Sequence, residues 1–384
     1  MSSEDDLDER SKKWSHHELE DEYIGHEKRE GKAQRKIASA KDRSKYKKTD
    51  VKKNEKEKER QQVSKEDLTR GRVISIASEG IIVDANGVLY TCFLRGVLKK
   101  DKTQAKNLVV VGDYVHFSIS SIDEGSIAYV EPRKSVLSRA DNLSQRKEQL
   151  IASNIDQVLI TVSVVKPLLK PSLVDRYIIA TQMGGMTPIV LVNKIDLLDS
   201  DNKMDHDHII KEKELLSIFV KDYTDAGFTI IPISCETKEG LEQLREVMKD
   251  KSSVFSGQSG VGKSSLINTV AGFNLKVSET VERTRKGSHT TTMASLFPLP
   301  FGGWCIDTPG IKSFGIWKLE KEEVKHYFFD IPGMTFDCKY PSCMHIHEPG
   351  CKVKEAVEGG LYSAMRYGSY LSLIVELETE HLRR

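Results

Sequence analysis

The chain has 384 residues, 38% of them hydrophobic and 30% charged, with a formal net charge of +1. That length suits two or three domains with real apolar cores. No run approaches the roughly 18 apolar residues that would span a bilayer, and the acidic start lacks the apolar segment of a secretory signal. A cytoplasmic protein without a membrane partner is expected.

The near-neutral total hides a segregated charge. Residues 1–27 carry ten acids against three Lys/Arg, and residues 28–60 carry fifteen Lys/Arg against six acids. Residues 1–70 have few large apolar side chains, so burial cannot offset the entropy of ordering them; a charged, disordered extension is expected. Its basic block reads either as a solvated tail or as an arm for the RNA phosphate backbone, where neutralisation releases counterions. From Gly71 the pattern changes to alternating apolar and polar residues, with a turn at Ala85-Asn86-Gly87. About five short strands over 71–137 predict a small closed β-barrel, OB-like first and SH3-like nearly as readily.

From about residue 150 to 317 the chain reads as α/β. DQVLITVSV, TPIVLVNK and FTIIPIS are apolar runs suited to strands buried on both faces, separated by helical stretches. Residues 318–384 mix short helices with a cluster of cysteines and histidines and end in a helical stretch through RYGSYLSLIVELE.

The chemistry sits in short motifs. Residues 257–265, GQSGVGKSS, match G-x-x-x-x-G-K-[ST] at Gly257, Gly262, Lys263 and Ser264, between a strand-like SSVFS and a helix-like SLINTVAG. Such a loop turns backbone N–H groups onto phosphates and adds the dipole of the helix start. Gln258, Ser259, Gly260, Val261 and Ser265 belong to the same phosphate-binding stretch. Lys263 would reach the β and γ phosphates, and the Ser264 hydroxyl would coordinate Mg²⁺.

Asn193-Lys194-Ile195-Asp196 follows the strand PIVLV. A carboxylate at Asp196 can accept from guanine N1–H and its exocyclic amine, whereas adenine offers neither donor there. Asn193 and Lys194 would brace the loop. Ser234-Cys235-Glu236, after FTIIPI, resembles the loop whose backbone meets guanine O6; Glu stands where that loop has Lys, so only backbone roles carry over.

Asp307-Thr308-Pro309-Gly310 fits a D-x-x-G switch, with Asp307 holding Mg²⁺ through water and the Gly310 N–H meeting the γ-phosphate. Between the two lies GSHTTT, where Thr290 or Thr291 is the candidate that senses the γ-phosphate and coordinates Mg²⁺. Ile311 follows Gly310 and cannot orient water, so slow intrinsic hydrolysis is expected; His289 is the candidate for that role.

Ordinary GTPases run P-loop, switch I, D-x-x-G, NKxD, S-A-K. This chain runs NKID, SCE, GQSGVGKS, HTTT, DTPG. The order is circularly permuted, and D-x-x-G leads directly into the C-terminal segment, so nucleotide state could pass straight to it. That segment carries Cys338, Cys343, His345 and Cys351, three thiolates and one imidazole, the set that structural zinc takes with no position left for substrate. His347 could compete with His345. One zinc ion per chain is expected, besides Mg²⁺ with GTP. The fold class is therefore multidomain: an OB-like β-barrel, a circularly permuted α/β P-loop GTPase domain and a small α-helical zinc-binding domain.

The permuted order, GSHTTT, DTPG and C-x₄-C-x-H-x₅-C, with the phrases HEPGC and RYGSY, resemble the circularly permuted small-ribosomal-subunit-biogenesis GTPases of the RsgA (YjeQ) type. The resemblance covers roughly residues 71–375. It implies a GTPase that hydrolyses GTP to GDP and phosphate, is stimulated by the small ribosomal subunit and acts late in its assembly. It implies the subunit and its rRNA as partners, and a monomer is expected. The alternative is a GTP-dependent RNA-binding switch with little turnover, which Ile311 favours. A nucleic-acid adaptor with a degraded P-loop is opposed by intact Lys263, Ser264, Asp307 and Asp196.

Overall fold

The computed structural model describes residues 68–95, 108–141, 144–199, 206–272, 294–307, 319–329 and 336–382. Most of the charged extension, and the switch candidates His289, Thr290, Thr291 and Gly310 with Ile311, lie outside the described residues.

The first five strands are β1 (Thr69–Ala77), β2 (Gly80–Ala85), β3 (Val88–Leu94), β4 (Tyr114–Ile119) and β5 (Glu124–Val130). The β2–β3 turn places Asn86 and Gly87 both at positive φ, the backbone a tight two-residue hairpin demands. Alternate residues point inward, and Val73, Ile81, Val83, Cys92, Val115, Phe117 and Ile127 fill the interior. The strands hydrogen-bond in the order β1-β2-β3-β5-β4, and β4 returns to β1. β3 and β5 are parallel, all other pairs antiparallel. The closed five-stranded barrel is OB-like, and the SH3-like alternative falls away.

A hairpin of β6 (Val136–Asp141) and β7 (Ser144–Ser153) follows. It lies largely between the stretches 71–137 and 150–317 to which the sequence assigns elements, and Asp141-Asn142 between two β-compatible runs is its turn signal.

The α/β sheet comprises β8 (Gln157–Ser163), β9 (Thr187–Asn193), β10 (Thr229–Ile233), β11 (Ser252–Ser256), β12 (Ser295–Pro298) and β13 (Trp304–Asp307). Its order is β10-β9-β8-β11-β13-β12, parallel except for β12. Every residue of β8 is buried, as expected for a central parallel strand covered on both faces. Helices α1 (Pro171–Met183) and α2 (His206–Asp225) pack on one face through Val174, Tyr177, Ile178, Phe219 and Tyr223. Helices α3 (Leu241–Met248) and α4 (Lys263–Ala271) pack on the other through Leu241, Leu244, Met248, Leu266 and Val270. The sheet closes in spatial register although its strands arrive in a rotated chain order.

The C-terminal module holds α5 (Val324–Phe329), α6 (Lys352–Glu358) and α7 (Ala364–Leu382). Phe328, Phe329, Val353, Tyr362 and Tyr370 form its core, joined by Ile179 from α1. Asp175 of α1 and Arg366 of α7 face each other at 3.4 Å, each 2% exposed. Tyr223 donates to the same carboxylate at 2.6 Å, and the Arg366 guanidinium lies against the rings of Tyr223, Phe228 and Phe328. Burial pushes the Asp175 carboxyl up, against the pull of Arg366. Ser363 donates to Asp222 of α2, and Arg176 meets Glu376 at 2.5 Å near the rim. The module is thus seated on α1 and α2.

The barrel meets the sheet differently. β1 joins the edge strand β12 at one residue pair, Ser75 with Ser295. Arg72, also on β1, is buried and donates through Nη2 to the Asn154 carbonyl at 2.9 Å and to Ser252 Oγ at 2.8 Å. Its Nε is buried without a hydrogen-bond partner among the described residues.

Candidate functional site

β11 and β9 end side by side with β8 between them, at the carboxyl edge where open α/β sheets bind ligands. The chain leaves β11 through Gly257, at φ 142°, where a Cβ would sit 2.0 Å from the Thr161 carbonyl oxygen. Gly262, at φ 95°, caps α4, and a Cβ there would meet Asn193 Nδ2 at 2.3 Å. Only glycine fits both positions. Ser264 and Ser265 open α4 and are exposed, as are Ser259 and Gly260 on the loop, while Gln258 is half-buried. Val261 points into the core at 1% exposure and anchors the loop.

Lys263 Nζ donates to the carbonyls of Gly257 at 2.7 Å and Gln258 at 2.6 Å, which places the ammonium across the loop. Burial lowers its pKa from the ordinary lysine value, and phosphate charge nearby would act in the opposite sense.

The base loop is tied to the phosphate loop. Asn193 is buried and donates from Nδ2 to the Val261 carbonyl at 2.8 Å. Lys194, in the left-handed region at φ 65°, donates from Nζ to Gly260 at 2.5 Å and to Lys166 at 2.6 Å. Asp196 accepts from Ser234 Oγ at 2.5 Å, and Ser234 Oγ in turn accepts from the backbone N–H groups of Glu236 and Thr237. A carboxylate offers about four lone-pair sites. The Ser234 contact therefore orients Asp196 and leaves capacity for the two donors of guanine. Cys235 is half-buried against the α3–α4 core; burial pushes its thiol up, and the Thr269 hydroxyl opposes this.

Asp307 ends β13, its backbone paired with Ser295 on β12, while β13 runs beside β11. The structure thus brings the ends of the P-loop strand, the NKID strand and the D-x-x-G strand to one edge of the sheet.

A second constellation lies in the C-terminal module. One ligand atom each from Cys338, Cys343, His345 and Cys351 falls within 4.8 Å of the others. Cys338 Sγ and His345 Nδ1 are 3.5 Å apart, His345 Nδ1 and Cys351 Sγ 3.4 Å, and the two sulfurs 4.0 Å. Tetrahedral bonds of about 2.3 Å to sulfur and 2.0–2.1 Å to nitrogen require edges of about 3.5–3.8 Å, so the four donors fit one ion. His347 is exposed and stands outside the cluster. Burial pushes the Cys343 thiol up to about 12 and lowers the His345 pKa, keeping the imidazole neutral. A cation among the donors would draw the thiols to thiolates.

Sequence reasoning missed how this loop is held. His345 sits at φ 60°. Glu348 accepts from the backbone N–H groups of Met344, Ile346 and His347, while the Tyr367 and Tyr370 hydroxyls donate to the carbonyls of His345 and Met344. Although burial pushes Glu348 up, those N–H groups bring it down to about 2. The acid inside HEPGC was the available signal for the carboxylate; nothing marked the tyrosines.

An α/β sheet that brings the strands leading into P-loop, NKxD and D-x-x-G to one edge, in rotated chain order and beside an OB-like barrel, defines a circularly permuted GTPase. The RsgA GTPase family model matches residues 130–317. A Bacteroides fragilis protein named small ribosomal subunit biogenesis GTPase RsgA is 37% identical over 295 residues, 76% of this chain and 92% of that one. The crystal structure of YjeQ from Thermotoga maritima aligns with TM-score 0.64 and 31% identity, over 81% of this chain and 98% of that one. YloQ, described as a circularly permuted GTPase, aligns with TM-score 0.62 and 28% identity, over 83% and 98%. The chain belongs to the RsgA family of GTPases.

Proposed function

We propose that this GTPase hydrolyses GTP to GDP and phosphate when the small ribosomal subunit engages it, and that it acts in the late assembly of that subunit. The observation that carries the reading is the interlock of the two nucleotide loops, in which Asn193 and Lys194 bond the carbonyls of Val261 and Gly260. The loop proposed for the base and the loop proposed for the phosphates are then braced against each other. The names of the relatives supply the subunit as partner.

In this reading Asp196 accepts from the guanine N1–H and amine, and the Ser234-Cys235 backbone meets O6. Lys263 turns from the loop carbonyls to the β and γ phosphates. Ser264 and Asp307 are the Mg²⁺ ligands, the latter through water, with Thr290 or Thr291 completing the set. The ion, when bound, neutralises charge developing between the β and γ phosphates. The Gly310 N–H meets the γ-phosphate, and His289 positions the attacking water in place of the glutamine that Ile311 cannot replace. Cys338, Cys343, His345 and Cys351 hold one structural zinc ion, because four donors leave no open position. The protein works as a cytoplasmic monomer.

GTP turnover by the purified protein, with and without small subunits, tests the reading. A slow basal rate raised many-fold by the subunit and abolished in Lys263→Ala is the expected result. His289→Ala should lower the stimulated rate by about 10²-fold or more if it orients water. Tight GTP binding without stimulated turnover would instead establish an RNA-binding switch.

A further inference from the structure

β1 of the barrel lies alongside the strands that carry the phosphate-side motifs, and it is fixed to them at two levels. At the end remote from the nucleotide, Arg72 donates to Ser252, the first residue of β11, whose last residue adjoins Gly257. The same guanidinium lies 5.5 Å from the ring centroid of Trp304, the first residue of β13, and 5.2 Å from that of Tyr114 on β4. At the nucleotide end, Ser75 pairs with Ser295, which pairs in turn with Asp307. Ser295 follows the Thr290–Thr292 run within a few residues.

The Ser75–Ser295 bridge is the one register pair between β1 and β12 among the described residues. Beside it Ile74 and Ile76, also on β1, pack partly buried against the core that holds Val254, Leu296 and Ile306. Arg72 supplies the second fixed point, three residues along β1. With Arg72 in place, a displacement of β1 is passed through its guanidinium to Ser252 and Trp304, at the starts of β11 and β13; with Arg72 removed, the apolar packing and the Ser75 bridge remain but that polar tie is lost.

Resting on the function proposed above, we propose that Arg72 is a positioning residue for subunit-stimulated hydrolysis: it makes β1 the strut through which engagement of the barrel reaches the P-loop and both switches. Among the described residues Arg72 bonds to Asn154 and Ser252 and to none of the nucleotide-site residues, so the intrinsic reaction is expected to proceed without it. Coupling between sites is reciprocal. The same strut should therefore make subunit affinity depend on whether GTP or GDP is bound.

The test uses the full chain with Arg72→Met, which keeps length and packing but loses the fork, Arg72→Lys, which keeps charge and one donor, and Ser252→Ala, which removes one acceptor. The readouts are kcat and KM for GTP with and without small subunits, and subunit affinity with a non-hydrolysable GTP analogue and with GDP. Basal kcat and KM should stay within about twofold in all three. The stimulated kcat should fall about tenfold in Arg72→Met, within the usual range of coupling between sites, and the affinity difference between the two nucleotides should shrink with it. Arg72→Lys should restore part of the stimulation, and Ser252→Ala should lose less than Arg72→Met. Wild-type stimulation retained in Arg72→Met overturns the inference. So does an equal loss of basal and stimulated rates, or an equal loss of subunit affinity in both nucleotide states, because each marks plain scaffolding. If Arg72→Met does not fold, the same comparison in Ser252→Ala decides. A wild-type protein that subunits do not stimulate would fail the function reading itself, before any variant is compared.

Discussion

The C-terminal module is held against α1 and α2 by side chains that have given up water, with Asp175 and Arg366 each 2% exposed and three aromatic rings closing over the guanidinium. The barrel is held against β11, β12 and β13 by one backbone bridge among the described residues, by the partly buried Ile74 and Ile76, and by one arginine whose Nε lacks a partner among the described residues. The first attachment grips the half of the sheet that carries the NKID strand, β9. The second reaches the half that carries the phosphate motifs. A buried ion pair is costly to break and so suits a part that must stay put. A few polar contacts of modest net worth suit a part whose position is read out.

Removing the zinc ion proposed at Cys338, Cys343, His345 and Cys351 should have the largest effect. Structural zinc sites contribute about 10–16 kcal/mol to the folding of small peptides. A strong chelator should therefore open residues 336–382 to proteolysis while a fluorescent GTP analogue still binds, since its site lies elsewhere on the sheet. Loss of nucleotide binding together with the metal would break the separation drawn between the two halves.

Arg366→Ala should come next, at about 3–5 kcal/mol in urea unfolding, because it strands a buried carboxylate. Replacing both partners, Asp175→Leu with Arg366→Met, should recover most of that loss. Arg72→Met should cost only about 1–2 kcal/mol, the worth of ordinary hydrogen bonds. Equal costs for the two arginines would erase the contrast between the attachments.

The smallest effect concerns acid. Arg70, hydrogen-bonded to Glu131 at the rim of the barrel, holds that carboxyl well below the usual range, at about 2, with His116 assisting. A depressed carboxylate stabilises the fold above its unfolded pKa and loses that contribution as pH falls through the folded one. Barrel stability should thus decline between about pH 4.5 and 2, and Glu131→Gln should flatten that limb in a circular dichroism titration. An unchanged acid limb would remove the ion pair from the account.

The nucleotide motifs were legible because phosphate and guanine chemistry is written in short runs such as 257–265 and 193–196, and each sits at the end of a strand with its own apolar pattern. The metal set was legible for the same reason, and geometry then separated His345 from His347. What was not legible depends on distant pairing. OB-like rather than SH3-like closure turns on β3 meeting β5 in parallel, which no local pattern announces. Arg72 and Ser252 lie 180 residues apart, and Asp175 and Arg366 lie 191 apart. In one dimension Arg72 is another charge in a basic stretch, and Arg366 another polar residue on a helix. β6 and β7 escaped because their polar runs carry too weak an alternation to stand out before the turn between them is recognised.

The rotated order also sets a timetable for synthesis. A ribosome delivers β8, β9 and β10 with the base loop before it delivers β11, the P-loop or the switches. Until then the apolar edge of β8 has no neighbour, and Asn193 lacks the Val261 carbonyl that will hold it. A half-made chain therefore carries the loop proposed to read guanine before the Val261 carbonyl can brace it, and a strand edge open to wrong partners. GTP can help close the sheet only after β11 and its loop emerge, so the nucleotide arrives as a late clasp on a framework that must first survive without it.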